Sequence, residues 1–354
     1  MAKIKGKSLV GLDIGTKCIK ALELAQSESG FTIVGYAYRD LATGQDLKEV
    51  VKELFHTAAF NTKKVVTSIS GRSVIVRYIT MPEMSDVELR NAIKYEASKY
   101  IPFETDEVVL DCQKMDYEAK TESSEKAPAG ANKEMRVILV AAKRNLVDDY
   151  LSMTESNGLW PYVIDLDSFA LGNAFELHEL LAEGKGKSET GKSVALIDIG
   201  SSKTLLNIMF NINSYFTREI TIAGNDFTEA ISKKMGLEAN QAEVRKCDPG
   251  DKTEEVKEAS GGLLDDLIHE IRLSFDYFEH QFEKPIDSIY ISGGSSNLVG
   301  LEEAFEKDFQ KKPIKWNPLE HFEIDSDKVN QAELNQHASQ LAIAVGLASR
   351  LRKG

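Results

Sequence analysis

Cysteine is scarce in this chain of 354 residues: Cys18, Cys112 and Cys247 lie far apart, with no Cys-x-x-Cys pair and no Cys/His metal spacing. That excludes a disulfide framework and a zinc-finger-type site, and it fits a reducing compartment. The six histidines (His56, His178, His269, His280, His321 and His337) are scattered singly, so each reads as a surface or core residue and not as a ligand or a base. No segment approaches the run of about 18 apolar residues that a membrane span needs. The first eight residues are basic but carry neither the apolar stretch nor the cleavage site of a secretory signal, so a soluble, cytoplasmic protein is expected. Positive charge is in deficit, with 43 Lys and Arg against 56 Asp and Glu and a net charge of −13. A nucleic-acid backbone or a bare anionic membrane is therefore a poor main partner.

What is present is ordinary for a globular protein, 42% hydrophobic and 28% charged, and the length points to two domains. Residues 8–14, 18–25 and 30–39 read as strands separated by glycine turns, followed by a helix over 47–60 and strands over 64–70 and 73–80. Ser85 and Glu88 make a capping box for a helix ending near Tyr100, which Pro102 stops. Strands are expected at 108–115 and 136–142, joined by a polar surface loop over 117–133. A helix over 144–157, a strand over 160–165 and a helix over 169–181 follow. A polar Gly/Lys/Ser stretch over 183–192 reads as an exposed turn between halves. Then the opening order returns: strands over 194–199, 204–210 and 214–220 around Gly200-Ser201-Ser202-Lys203. Later elements are an amphipathic helix over 261–282, a buried strand over 288–291, a helix over 298–309 and a last helix over 331–350.

Two segments share one grammar. Val10-Gly11-Leu12-Asp13-Ile14-Gly15-Thr16-Lys17 and Ala195-Leu196-Ile197-Asp198-Ile199-Gly200-Ser201-Ser202-Lys203 each run from an apolar strand to Asp, Gly, hydroxyl residues and Lys. Glycine lets the backbone approach a phosphate, whose oxygens accept from the turn's N–H groups. The hydroxyls and lysine add donors and charge, and a strand-end aspartate can orient the water shell of a phosphate-bound Mg²⁺. Either copy alone is as easily a hairpin with an ordinary glycine turn. Two copies, one opening each half, make coincidence a poor explanation. Ser292-Gly293-Gly294-Ser295 follows a buried strand and opens toward a helix, a place where backbone N–H groups hold polar or anionic groups. Weaker support comes from Gly224-Asn225 and from Glu243 and Lys246, which also fit a plain charged helix face.

As a set these motifs resemble the actin, Hsp70 and sugar-kinase superfamily, with Asp13 and Asp198 in its two phosphate motifs and Gly293-Gly294 in its adenosine motif. Residues 341–348 resemble its closing helix. Within it, the chain is most similar to the PilM family of type IV pilus assembly proteins, relatives of the division protein FtsA. The wording Glu96-Ala97-Ser98-Lys99-Tyr100-Ile101-Pro102-Phe103, the insertion over 81–164 and the segment from Asp165 to Phe175 carry that similarity. The resemblance implies an α/β, actin-like (ribonuclease H-like) duplicated fold around a nucleotide cleft. The expected divisions are residues 1–80 with 335–354, an inserted 81–164, 165–225 with 286–334, and a helical 226–285.

It also implies ATP and Mg²⁺ as cofactors. Asp13 and Asp198 would flank the metal, and Gly15, Thr16, Lys17, Gly200, Ser201, Ser202, Lys203, Gly224, Asn225, Glu243, Lys246, Gly293, Gly294 and Ser295 would hold the nucleotide. The implied role is pilus biogenesis and twitching motility on the cytoplasmic side of the inner membrane. There the N-terminal cytoplasmic tail of PilN and other platform proteins would be partners, and the membrane would be met only indirectly. Tyr95 and Lys99 fall off the apolar stripe of their helix and are the expected tail contacts. No residue that positions attacking water stands out beyond the neighbourhood of Asp165 and Asp167, so at most slow ATP hydrolysis is expected. An FtsA-like filament former remains an alternative, although no amphipathic membrane-targeting helix follows the closing segment. A sugar- or acetate-kinase-like phosphotransferase is the other.

Overall fold

The structure is a computed structural model that describes residues 7–27, 30–115, 134–183 and 191–353. The basic start, the loop expected over 117–133 and most of the turn expected over 183–192 lie outside these residues. The chain opens with strands β1 (Ser8–Ile14), β2 (Cys18–Ser27) and β3 (Gly30–Asp40), helix α1 (Leu47–Thr57) and strands β4 (Lys64–Ile69) and β5 (Val74–Pro82). Then come α2 (Asp86–Glu96), β6 (Val108–Lys114), β7 (Glu134–Lys143), α3 (Arg144–Ser156), β8 (Trp160–Leu166) and α4 (Asp167–Glu183). The second half holds β9 (Ser193–Ile199), β10 (Thr204–Phe210), β11 (Asn213–Ile220), α5 (Gly224–Met235), α6 (Ala239–Cys247) and α7 (Thr253–Phe282). It closes with β12 (Ser288–Ser292), α8 (Leu301–Phe309), β13 (Ile314–Lys315), β14 (Glu323–Ile324), α9 (Gln331–Gln336) and α10 (Ala342–Ala348).

Two compact units emerge: Met1–Ser68 with Met153–Gly354, and Ile69–Ser152. The larger unit contains two sheets built to one plan. In the first, ordered β14-β3-β2-β1-β4-β8, β1 to β3 form an antiparallel meander and β4 joins β1 in parallel. In the second, ordered β11-β10-β9-β12-β13, β9 to β11 form the meander and β12 joins β9 in parallel. The repeat read from the glycine turns is therefore a repeat of whole sheets. Central strands of such sheets are covered on both faces, and all seven residues of β9 are buried.

Helices α4 and α10 join β1, β2, β9 and β10 in one apolar core. The seven residues of α10 are all buried. A Cβ at Gly346 would lie 1.7 Å from the carbonyl oxygen of Ala170, so only glycine lets α10 seat against α4.

The smaller unit is a three-stranded antiparallel sheet, β5-β7-β6, carrying α2. The capping box forms as expected: the Ser85 N–H donates to Glu88 at 2.7 Å, and the Glu88 N–H donates to the Ser85 hydroxyl at 3.3 Å. Leu89, Ile93, Ala97 and Ile101 then pack with Val108, Val137, Leu139 and Ala141, which is the apolar stripe doing core duty.

Two helices differ from the sequence reading. α7 begins at Thr253, eight residues before the expected start at Gly261. Gly261-Gly262 reads as punctuation, since each glycine costs about 1 kcal/mol in a helix. Burial of Val256 and the bond from the Ser260 hydroxyl to the Val256 carbonyl carry the helix through. The single helix expected over 331–350 is broken between α9 and α10. His337 leaves the helical path to bond Tyr36 at 2.8 Å and stack on Tyr38 at 3.9 Å. The next carbonyls are taken elsewhere, Ser339 accepting from the Gly293 N–H and Gln340 from Lys20.

Candidate functional site

The hairpin β1–β2 pairs Ile14 with Ile19, and the hairpin β9–β10 pairs Ile199 with Thr204. Each therefore closes over four residues, 15–18 and 200–203. Each closure uses the same bond at the same length: the Gly15 N–H to the Cys18 carbonyl and the Gly200 N–H to the Lys203 carbonyl, both 3.0 Å. The tips meet, with Thr16 Oγ1 and Ser201 Oγ 2.7 Å apart. Lys17 and Ser202 are exposed beside them. The two glycine turns, remote in sequence, thus face one another.

Asp13 and Asp198 end β1 and β9 behind these tips, and both are buried. Lys20 sits directly across the hairpin from Asp13, and its amine lies 2.6 Å from that carboxylate. Burial works against the Lys20 charge, but Asp13, with help from Asp198, outweighs it and raises its pKa above the usual lysine value. The Asp198 carboxylate accepts from the Ser292 hydroxyl at 2.8 Å. Burial pushes its pKa up to about 6, with Lys20 and Ser292 opposing and Asp13 and Asp167 assisting. At neutral pH it is therefore mostly ionised while held close to protonation. Lys203 reaches back 2.5 Å to Asp167 at the start of α4. Burial opposes the Lys203 charge and Asp167 more than restores it.

Of the two acids near the connecting helix, the structure separates the roles. Asp165 is saturated by Arg350 at 2.7 Å, by Asn173 at 3.1 Å and by the Leu166 N–H at 2.9 Å. It is a structural anchor within the core. Asp167 faces the turns through Lys203. Three carboxylates (Asp13, Asp167, Asp198) against two amines (Lys20, Lys203) leave the cluster behind the tips acidic. An acidic site of this kind disfavours a bare polyanion and suits one whose charge a cation offsets.

The remaining expected residues gather behind the second turn. The first two N–H groups of α5, from Gly224 and Asn225, donate to the carbonyls of Gly200 at 2.9 Å and Ser201 at 2.7 Å, so this helix start buttresses the turn. Lys246 is fully buried and donates to the Gly224 carbonyl at 3.1 Å, the Thr228 hydroxyl at 3.1 Å and Glu243 at 2.8 Å. The Thr228 hydroxyl also donates to Glu243. Burial opposes the Glu243 charge, but these bonds hold its pKa below the usual carboxylate value. Gly293 has φ +93°, and a Cβ there would lie 2.4 Å from the Ile199 carbonyl oxygen. Gly294 is exposed, while Ser295 is buried with its N–H on that same Ile199 carbonyl at 3.0 Å. Ser295 therefore belongs to the wall that ties β12 to β9.

Sequence reasoning missed Lys20, Ser292 and the tie from Asp167 to Lys203. The signal for Lys20 was a lysine inside an otherwise buried strand, opposite Asp13 once a four-residue turn fixes the register. Tyr95 and Lys99 lie in the smaller unit. Tyr95 is 82% exposed, so it is not core, and Lys99 is exposed and paired with Glu96 at 2.6 Å.

Comparison with known proteins bears on this arrangement. The family described as "Type IV pilus assembly protein PilM" matches residues 11–352. The chain belongs to this family. The chain is similar to a solved PilM–PilN type IV pilus biogenesis complex, with 28% identity over 97% of this chain and 98% of that one and a TM-score of 0.80. It is 25% identical to the cell division protein FtsA of Neisseria meningitidis, over 96% of this chain and 91% of the relative. Its fold also matches the ethanolamine utilization protein EutJ of Carboxydothermus hydrogenoformans, at 12% identity and a TM-score of 0.54, over 97% and 89% of the two chains. The fold of this PilM-family member is the actin-like, duplicated α/β fold. Among the described residues, no helix is long and apolar enough to cross a membrane.

Proposed function

We propose that the chain binds Mg·ATP between its two glycine turns and uses the bound nucleotide to bias capture of the N-terminal cytoplasmic tail of a PilN-type membrane partner. The observation that carries the nucleotide reading is the convergence of two four-residue glycine turns, closed by the same bond, on one acidic cluster. Thr16 and Ser201 touch at 2.7 Å in front of Asp13, Lys20 and Asp198. Asp13 and Asp198 hold the water shell of Mg²⁺, while the turn N–H groups with Lys17 and Lys203 meet phosphate oxygens. Gly224, Glu243, Lys246 and Gly293 to Ser295 flank the base and ribose. Lys203 neutralises Asp167, which removes that carboxylate from service as a water-positioning base, so hydrolysis is slow. The protein works on the cytoplasmic side of the inner membrane, held there by its partners in the pilus platform.

The partner reading rests on the similarity to the PilM–PilN complex and on the outer face of α2. Val87 is 72% exposed and Tyr95 82%, with Asn91 and Lys94 exposed between them. At helical spacing these form one face pointing away from the unit's own core. An aromatic beside lysines suits an extended peptide that needs a side-chain pocket and polar anchors. Tyr95→Ala should lower binding of the tail peptide at least fivefold in a fluorescence-anisotropy titration, with ATP affinity and melting temperature unchanged. Unaltered peptide binding would place the tail elsewhere, and unfolding would contradict the exposure of Tyr95. The FtsA similarity favours a second reading, an ATP-dependent filament. Pelleting of the protein with ATP at the same concentrations decides between them.

A further inference from the structure

Among the described residues, one cluster of side chains able to ligate a metal lies apart from the glycine turns, within the larger unit. His178 projects from α4, and Glu320 and His321 sit on the turn before β14. Each offers one ligand atom, and the three atoms lie within 4.8 Å of one another. His178 is 94% buried, with Nδ1 enclosed and without a hydrogen-bond partner, an unusual cost for a core imidazole. Its ring lies 5.2 Å from that of His321 and is walled by Phe175 and Trp316 at 5.9 and 6.0 Å. His321 holds φ +78°, a left-handed conformation that a non-glycine residue keeps only where its surroundings impose it. The turn is fixed by the Glu320 N–H on the Asn317 carbonyl at 3.1 Å and the Phe322 N–H on the Leu319 carbonyl at 3.3 Å.

We propose that His178, Glu320 and His321 form a binding site for a divalent transition-metal cation of the zinc class, clipping the turn before β14 to helix α4. Two imidazoles and one carboxylate are a borderline donor set that suits Zn²⁺ or Co²⁺ and not Mg²⁺, which prefers oxygen ligands. Bonds of about 2.0–2.2 Å require ligand atoms roughly 3.4 Å apart, so the three groups close by about 1 Å on binding. Glu320 is exposed and swings without cost to the core. The metal supplies a partner to the buried His178 imidazole, and a water completes a tetrahedron. The singly scattered histidines gave no sign of this, because His178 and His321 meet only in the folded chain.

The full-length protein, stripped with chelator and free of nucleotide, is titrated with Zn²⁺ against a chromophoric chelator and with Co²⁺ by visible absorption. One saturable equivalent per chain, a tetrahedral Co²⁺ spectrum and a Zn²⁺-dependent rise in melting temperature are expected. Glu320→Gln alters an exposed side chain and keeps the fold, and it should weaken binding at least tenfold, as should His321→Gln. A variant with all three cysteines changed to serine should bind as the parent does. No saturable equivalent, binding unchanged in both Glu320→Gln and His321→Gln, or binding lost with the cysteines would each overturn the proposal.

Discussion

Replacing Asp198 by asparagine should make the nucleotide-free protein more stable while weakening its hold on Mg·ATP. The carboxylate is buried, and its pKa rises from 3.8 to about 6. A folded-state pKa above the unfolded one contributes stability that is complete below 3.8 and is lost as pH rises through 6. At ~1.4 kcal/mol per pH unit, that interval costs the ionised parent ~3 kcal/mol at pH 7 and ~1.6 kcal/mol at pH 5. Asparagine is neutral and isosteric, and its carbonyl still accepts from the Ser292 hydroxyl, so it mimics the protonated acid at every pH. Urea denaturation without nucleotide or Mg²⁺ should therefore show Asp198→Asn ahead of the parent by a gap that widens between pH 5 and 7 and then levels. Isothermal titration should show Mg·ATP affinity down at least tenfold, ~1.4 kcal/mol, with Mg-free ATP affected little. A mutant no more stable than the parent at pH 7, or a gap that ignores pH, would refute the argument from burial. Equal Mg·ATP affinity would remove Asp198 from the metal site.

Three further outcomes are expected. Gly293→Ala combines a strained φ of +93° with a Cβ 2.4 Å from the Ile199 carbonyl and should cost at least ~3 kcal/mol in thermal or urea melts. Gly44→Ala is its control, since φ there is +82° but nothing lies within 4 Å, and it should cost only ~1 kcal/mol. Lys246→Met removes the buried donor to the Gly224 carbonyl, Thr228 and Glu243 and should cost ~1–3 kcal/mol by urea melt, with a parallel fall in ATP affinity. ATP turnover by the purified protein should fall far below the enzyme median of about 10 s⁻¹ in a phosphate-release assay, and turnover at or above that value would contradict the neutralisation of Asp167.

Much of the fold was legible because local pattern and burial agree. β-Branched runs closed by glycine gave the strands of both meanders, and the Ser85 and Glu88 pair gave the start of α2 to the residue. The repeated Asp and Gly spacing found both turns because each turn is a local structure. What was hidden depends on register and long-range contact. Lys20 gains its meaning only when the four-residue closure sets it against Asp13. Ser292 does so only when β12 lies beside β9 with Ser292 opposite Asp198. The tail read as one helix because nothing local reveals that Gly293 and Lys20 draw off the carbonyls of Ser339 and Gln340. Asp165 and Asp167 stand two residues apart with identical chemistry, and only Arg350 on one side and Lys203 on the other divide them.

The contact between the two tips constrains how a nucleotide acts. Thr16 belongs to the first sheet and Ser201 to the second, and their hydroxyls are 2.7 Å apart. A phosphoryl group accepting from both sides at ordinary hydrogen-bond length needs the tips roughly 5–7 Å apart. If a nucleotide binds here as proposed, its phosphates would part the two hydroxyls and take their place as the bridge. Because the second turn is tied to α5 through Gly224 and Asn225, a separation at the tips would be passed to that helix. The lost contact is a single exposed hydroxyl pair worth about 1 kcal/mol, small against the charge-assisted bonds of a polyphosphate. A ligand shifts a conformational equilibrium only by its difference in affinity for the two states. If phosphates bind between the tips as proposed, that difference lies in the exposed hydroxyl contact, which the phosphates would replace. On that proposal, binding and parting of the tips would be one event, and hydrolysis would serve only to reverse it.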